Sequence, residues 1–272
     1  MTYKRKPVVA GSFYPGDSKR LHDDIEKYLG EAVDSDVDDA YGLIVPHAGY
    51  VYSGPVAAYS YSLIKKIQPE VVIVLAPSHR ARFDGASIIP SGEYETPLGA
   101  VEIDETMGKT LESKNNFAFI PEVHEAEHSL EVQVPFLQHI LGDFTLVPII
   151  VGTHDLVKLN NIAETIKDAI INDTRKITIV ISTDLSHYHS YKAAHAIDNV
   201  FIKAVESFDV KKVSSVCKKG TAEACGEGPV LLGMILSKML GAHKIEILNY
   251  STSGDTGGDK SQVVGYLSAA II

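Results

Sequence analysis

The nine residues Val71-Val-Ile-Val-Leu-Ala-Pro-Ser-His79 decide the fold class of this chain. The first six are apolar without interruption, which is typical of a strand covered on both faces, as in a parallel sheet. Similar apolar runs rich in Val and Ile occur at residues 42–46, 71–77, 146–151, 177–182, 245–250 and 263–272. We interpret each of these runs as a buried strand.

Segments with helical spacing of apolar residues separate the runs. They span residues 17–29, 55–67, 129–141, 156–171, 191–208 and 229–240. Pro55 and Pro229 stand near the predicted start of a helix, and Gly142 and Gly241 follow the predicted end of one. The alternation predicts an α/β fold: a three-layer α/β/α sandwich with a mostly parallel central sheet, in which residues 1–272 form a single domain.

The composition excludes several classes of protein. The chain has 272 residues, of which 45% are hydrophobic and 22% charged, and this is a globular composition. Its net charge of −10 argues against binding to nucleic acid, which needs clustered cations. Two cysteines, Cys217 and Cys225, are too few for a disulfide framework and fit a reducing compartment. Without a signal peptide or an apolar run near the roughly 20 residues that span a bilayer, we expect a cytoplasmic protein that does not contact membranes.

Histidines follow the predicted strands. His47 ends Leu43-Ile-Val-Pro-His47, His79 ends the stretch quoted above, and His187 is predicted to end the strand that starts at Ile177. In open α/β sheets, ligands bind outside the carboxyl ends of the strands. We therefore expect the three histidines to converge on one site, where neutral imidazole is a common metal ligand.

Cys225 lies in Ala224-Cys-Gly-Glu-Gly-Pro229, directly before a predicted helix. The start of a helix favours the thiolate, which is the metal-binding form of cysteine. The alternative is a small buried apolar residue, the usual role of a free cysteine, although its glycine neighbours weaken that interpretation. Cys217 is predicted to lie on a helix face.

The segment His124-Glu-Ala-Glu-His128 matches the H-E-x-x-H pattern of zinc hydrolases. That chemistry needs both histidines on one helical face. Ser129 is predicted to cap the following helix, which would leave His124 outside it. We expect Glu127 and His128 to reach the strand-end site as substrate-binding or supporting groups, with capping of the helix as the alternative.

Several motifs together resemble the Memo family, whose prokaryotic members are called AmmeMemoRadiSam system protein B. The motifs are Pro46-His-Ala-Gly-Tyr-Val-Tyr-Ser-Gly54, Ala76-Pro-Ser-His79, Glu95-Thr-Pro-Leu-Gly99, Glu127-His-Ser-Leu-Glu131, Asp184-Leu-Ser-His187 and Cys225-Gly226. The resemblance runs from Ala10-Gly-Ser-Phe-Tyr-Pro15 to the last predicted strand. The family is similar in fold to the LigB-like class III extradiol dioxygenases, which are non-haem iron enzymes.

By this resemblance, His47, His79 and Cys225 take the metal-ligand positions, and His187 takes that of an acid/base histidine. The dioxygenases use two histidines and a glutamate, whereas this chain offers a cysteine, and a soft thiolate changes the metal preference. The expected cofactor is a divalent metal ion, iron first, with copper or zinc as alternatives.

The resulting functional hypothesis is a metal-dependent redox enzyme, such as a dioxygenase, that acts on a small molecule or a peptide. Asp184 would orient His187, and Tyr52 would either hydrogen-bond the substrate or simply pack. A non-catalytic adaptor that binds metal or peptide in the same crevice is the rival hypothesis, and a zinc metallohydrolase is the third. The family name further implies a radical SAM protein and an Amme-domain protein as partners.

Overall fold

The computed structural model describes residues 3–272, in which strands and helices alternate along the chain. The strands are β1 (Lys4–Arg5), β2 (Gly42–Val45), β3 (Val71–Pro77), β4 (Ala86–Ile88), β5 (Gly92–Thr96), β6 (Gly99–Ile103), β7 (Phe117–Ala118), β8 (Thr145–Val151), β9 (Ile177–Ser182), β10 (Asp184–His189), β11 (Ile245–Thr252) and β12 (Val263–Ile271). The helices are α1 (Ser18–Glu31), α2 (Tyr50–Ile67), α3 (Glu105–Glu112), α4 (Pro121–Glu125), α5 (His128–Glu131), α6 (Val134–Leu141), α7 (Leu156–Ile171), α8 (Tyr191–Glu206), α9 (Val210–Lys218), α10 (Glu227–Leu240) and α11 (Ser253–Thr256).

Four parallel strands in the order β8-β3-β9-β2 form the centre of the sheet. β3 pairs with β8 along its whole length, from Val71 opposite Thr145 to Pro77 opposite Val151. β12 adds antiparallel to β2, and β6 continues the sheet beyond β8. The carboxyl ends of β2, β3 and β9 therefore lie side by side at one edge of the sheet.

Alternate residues of β3 enter two separate cores. Val71, Ile73 and Leu75 pack in one core, which helices α7 and α10 cover. Val72 and Val74 face the other core, which α1 and α2 cover. Each fully buried aliphatic side chain contributes about 1.5–3 kcal/mol relative to exposure. Helices on both faces of a mostly parallel central sheet confirm the predicted three-layer α/β/α architecture.

The predicted helix over residues 129–141 is divided into α5 and α6. Pro135 is the second residue of α6, where proline is tolerated because its missing amide would have no partner in the first turn. Helix α2 begins at Tyr50, earlier than predicted, and contains Pro55. In the described part of the chain, no helix combines the length and apolar character needed to cross a bilayer.

His187 does not lie at the end of a parallel strand, so that prediction is wrong. β9 ends at Ser182, and the amide of Thr183 donates to the carbonyl of Val45 at 2.9 Å. The chain then turns into β10, which pairs antiparallel with β12 and carries His187 opposite Val264. His187 consequently comes from a strand of different direction from those that precede His47 and His79.

Candidate metal centre

Three histidine side chains meet at the carboxyl edge of the central sheet. His47 follows β2, His79 follows β3, and His128 begins α5. One ring nitrogen from each residue lies within 4.8 Å of those of the other two. The ring centroids of His47 and His79 are 5.2 Å apart, and those of His79 and His128 are 4.8 Å apart. This group of donors could hold one metal ion.

Hydrogen bonds fix the tautomer of His47 as well as its position. Its side chain is buried, and its Nδ1 lies 2.8 Å from Oγ of Ser182. Ser182 donates its single hydroxyl proton to the carbonyl of Ser129, 2.7 Å away, so its oxygen must accept a proton from His47 Nδ1. In a neutral ring, Nε2 of His47 is then the free nitrogen that a metal ion requires.

Glu127 performs the same role for His79. One of its carboxylate oxygens lies 2.9 Å from Nδ1 of His79, and the other accepts the His79 amide at 2.5 Å. Although burial opposes ionisation, the hydrogen bonds from His79 lower the pKa of Glu127 to about 2. The ionised carboxylate therefore accepts from Nδ1 and leaves Nε2 of His79 free, an arrangement common behind metal-binding histidines.

The imidazoles of His47 and His128 are neutral at neutral pH. Burial lowers the pKa of His47 well below its ordinary value and lowers that of His128 to about 4. His128 Nδ1 is buried and forms no hydrogen bond within the described chain, although it lies 3.5 Å from a Glu127 oxygen. Two neutral rings, those of His47 and His128, and a buried nitrogen that lacks a partner in the described chain fit a divalent metal ion, which needs deprotonated nitrogen donors.

Cys225 touches this group at His47. Its sulfur lies 3.0 Å from Nε2 of His47 and accepts the amide of Asp184 at 3.3 Å. Cys225 directly precedes α10, as predicted. Burial nevertheless raises the pKa of its thiol, so the metal-free protein holds a protonated Cys225 that donates to His47. The helix start does not outweigh burial here, and the thiolate would form only when a cation replaces that proton.

Asp184 supports His47 rather than His187 in the hydrogen bonds of the described chain. Its carboxylate is buried and accepts the amide of His47 at 2.7 Å. Burial raises the pKa of this carboxyl to about 7. The carboxylate that holds the β10 strand is instead Asp198, which accepts the amide of Ser186 at 2.9 Å.

His187 borders the histidine group from the β10 side. Burial lowers the pKa of His187. A positive charge on the His187 ring would lower the pKa of His47, so the two rings lie close enough to interact. Tyr52, on the first turn of α2, is 42% exposed. Its ring lies against Gly257, where an added Cβ would be 3.0 Å from a ring carbon.

The H-E-x-x-H segment does not form a single helix. His124 belongs to α4, whereas His128 begins α5. His124 is buried, and its Nε2 lies 3.0 Å from Oγ of Ser87. It does not belong to the group formed by the other three histidines. The cap of α5 is Glu127 and not Ser129, because its carboxylate accepts the amide of Ser129. The helical geometry that a zinc hydrolase of this type requires is therefore missing from this segment.

A buried ion pair holds α5 in place. Arg5 Nη1 lies 2.5 Å from a carboxylate oxygen of Glu131, and both side chains are almost fully buried. Arg5 also donates to the carbonyls of His124 and Glu127, at 3.0 and 2.6 Å. Since Glu127 and His128 begin α5, this pair fixes the backbone that carries two of the site residues.

The structure thus brings His47, His79, Glu127, His128 and Cys225 together, with Asp184 and His187 beside them. The sequence analysis did not identify Ser182, Arg5 or Glu131 as supporting residues. Their contacts join distant parts of the chain, so no local pattern marks them. The adjacent residues Glu127 and His128 could have suggested a metal-binding histidine next to a supporting carboxylate, if they had been considered independently of the H-E-x-x-H pattern.

A family model and two relatives of similar sequence agree on one family. The family model described as Memo-like protein matches residues 5–270. A MEMO1 family protein of Methanobrevibacter smithii is 40% identical over 97% of this chain and 98% of its own length. A MEMO1 family protein of Nitrosopumilus maritimus is 40% identical over 96% of this chain and 97% of its own length. A solved structure of an uncharacterized Escherichia coli K12 protein is similar with a TM-score of 0.49 and 12% identity, covering 85% of this chain and all of that one.

Proposed function

The chain belongs to the Memo family, and we propose that it is a metal-dependent redox enzyme whose centre is built around His47 and His79. The observation that carries the proposal is the pair of matched tautomers. Each Nδ1 is engaged, by Ser182 for His47 and by Glu127 for His79, which leaves Nε2 as the unprotonated nitrogen of each ring, and both rings belong to the group of three donors. Rings pre-oriented in this way bind a metal ion with little loss of conformational freedom.

The third ligand is proposed to be Cys225, with His128 as its competitor. Cys225 contacts His47 through its sulfur, and His128 contributes a nitrogen to the group of three. A thiolate with two imidazoles accepts iron, copper or zinc, and we place iron first. A redox-active ion supplies, when bound, the electron exchange that no side chain of this site provides.

The side chains of the site would orient the metal ligands and transfer a proton. Glu127 holds His79 in its tautomer. Asp184 accepts the backbone amide of His47 and so holds the turn that carries this residue. His187 is proposed to move a proton to or from the substrate, since a neutral imidazole is a suitable base. The side of His79 that faces solvent leaves the substrate a route to the centre.

Elemental analysis of anaerobically purified protein tests the metal. We expect about one ion per chain in the wild type and almost none in His47→Ala/His79→Ala, since both fixed donors are gone. His243→Ala, an exposed histidine before β11, is the matched control and should keep its metal. Equal metal in all three proteins would refute the centre. Oxygen consumption with candidate catechols then separates a redox enzyme from a binding protein.

A further inference from the structure

In the described part of the chain, two arginines beside the histidine group have no acidic partner. Arg80 and Arg82 lie in the turn after His79, and both are exposed. Among residues 3–272, neither forms an ion pair, whereas Arg5 and Arg175 each do. In a chain with a net charge of −10, two unpaired cations in one turn create a local positive potential.

Arg82 lines a cavity that also reaches Cys225. The cavity has a volume of about 300 Å³ and is bounded by the turn at residues 78–83, the end of β8 and the start of α10. His154 contributes a second polar side chain, and Phe83 and Pro229 contribute apolar surface. This volume is at the lower end of the roughly 300–1,000 Å³ of small-molecule sites, so it suits a small compound rather than a macromolecule.

Two acidic groups near the cavity, Glu227 and Asp84, already have basic partners. Glu227 lies 3.4 Å from Nδ1 of His154, and this contact raises the pKa of His154. Asp84 pairs with Lys158 at the neighbouring surface. Arg82 is thus the cation of this cavity that no carboxylate of the described chain neutralises.

We propose that the cavity binds a small molecule through its carboxylate or phosphate group, with Arg82 as the recognition residue and His154 beside it. A planar guanidinium matches either oxyanion with two parallel hydrogen bonds. Cys225 belongs both to the wall of this cavity and to the metal group, because its sulfur contacts His47. The assignment of this molecule as substrate rests on the proposed function, whereas the oxyanion site can be tested without metal.

The test compares alkylation of Cys225 by iodoacetate, an anion, and by iodoacetamide, its neutral counterpart, in the metal-free protein. Both reagents attack the same thiolate. The ratio of the iodoacetate rate to the iodoacetamide rate is therefore independent of the fraction of thiol that is ionised. Peptide mass mapping gives the ratio at Cys225 and at Cys217, and N-acetylcysteine in the same solution serves as a free thiol. We expect the ratio at Cys225 to exceed both references by about tenfold, the lower end of the enrichment that charged clefts produce.

Arg82→Gln should bring the ratio at Cys225 close to the reference values. Its side chain is exposed, so the substitution leaves the cores intact. Arg20→Gln, at an exposed position of α1, is the matched control and should leave the ratio unchanged. An unchanged ratio in Arg82→Gln would overturn the proposal.

Protection identifies the oxyanion. At constant ionic strength, succinate or inorganic phosphate should slow labelling by iodoacetate, and the more protective of the two indicates the class of ligand. Neutral succinamide should not protect. Protection by neither anion would show that the cavity is not an accessible oxyanion site. A preserved labelling ratio in a protein that binds no metal would refute the proposed function alone.

Discussion

The two sides of the proposed centre are built differently. His47 and His79 follow β2 and β3 in the middle of the sheet, where each strand pairs in parallel register with β9. His187 lies on β10, which pairs with β12 at only three positions interrupted by two register shifts. The residue after it, Tyr188, has a φ of 62°, which is uncommon for a residue with a side chain.

The same difference extends to the side-chain contacts. The Nδ1 atoms of His47 and His79 are both held by buried partners, Ser182 and Glu127. The β10 strand is held through its backbone, by Asp198 at the amide of Ser186. A metal ion needs ligands at fixed positions, whereas a proton-transfer group needs only to reach its partner. We therefore expect the β2–β3 side to control metal binding and the β10 side to control chemistry.

Loss of a ligand on the β2–β3 side should have the largest effect. His79→Ala should lose most of the bound metal, because one of the two pre-oriented nitrogens is removed. The side chain of His79 is partly exposed, so its removal should leave the fold intact. Elemental analysis after dialysis against a weak chelator measures the loss. His187→Ala, treated in parallel, is the comparison from the other side and should retain its metal. If both variants lost metal equally, the division between the two sides would be wrong.

Removing the support behind His79 should have the next largest effect. Glu127→Gln keeps the size of the side chain but removes the charge that fixes Nδ1–H, so metal affinity should fall by about 10–100-fold. Competition with a coloured chelator measures the affinity. Glu125→Gln, an exposed glutamate of α4, is the matched control. An affinity in Glu127→Gln equal to that of the control would mean that the carboxylate has no influence on the ligand.

Cys225 should make metal binding depend on pH. Because its folded-state pKa is raised, the thiol is protonated at neutral pH, and binding as a thiolate must release that proton. Affinity should therefore rise with pH, by up to about tenfold per unit for one proton, from neutral pH up to the pKa of the thiol. Titration calorimetry in buffers of different ionisation enthalpy counts the protons. Cys225→Ser should release about one proton fewer than the wild type or Cys217→Ser, and an equal release would favour His128 as the third ligand.

The central strands were predictable because burial on both faces leaves an unbroken apolar run. The predicted bounds of β3 at 71–77 and of β9 at 177–182 agree with the structure for this reason. The segment around His128 was not predictable in detail, because its helix is only one turn long and is capped by Glu127. The contacts that organise the site also escape local patterns: His47 and Ser182 are 135 residues apart, and Arg5 and Glu131 are 126 apart.

The smallest expected effect on metal binding, and the sharpest test of the comparison, is that of His187→Ala. We expect unchanged metal content, because the hydrogen bonds that orient His47 and His79 do not involve this side chain. Any turnover should nevertheless fall by about 10²–10⁴-fold, the usual contribution of a general acid or base. His189→Ala is the matched control on the same strand, since its ring pairs with Glu223 at the surface. Oxygen consumption by metal-loaded protein measures the rate. A His187→Ala protein that loses metal in proportion to its activity would make His187 a ligand, and equal rates in the two variants would remove it from the proton-transfer role.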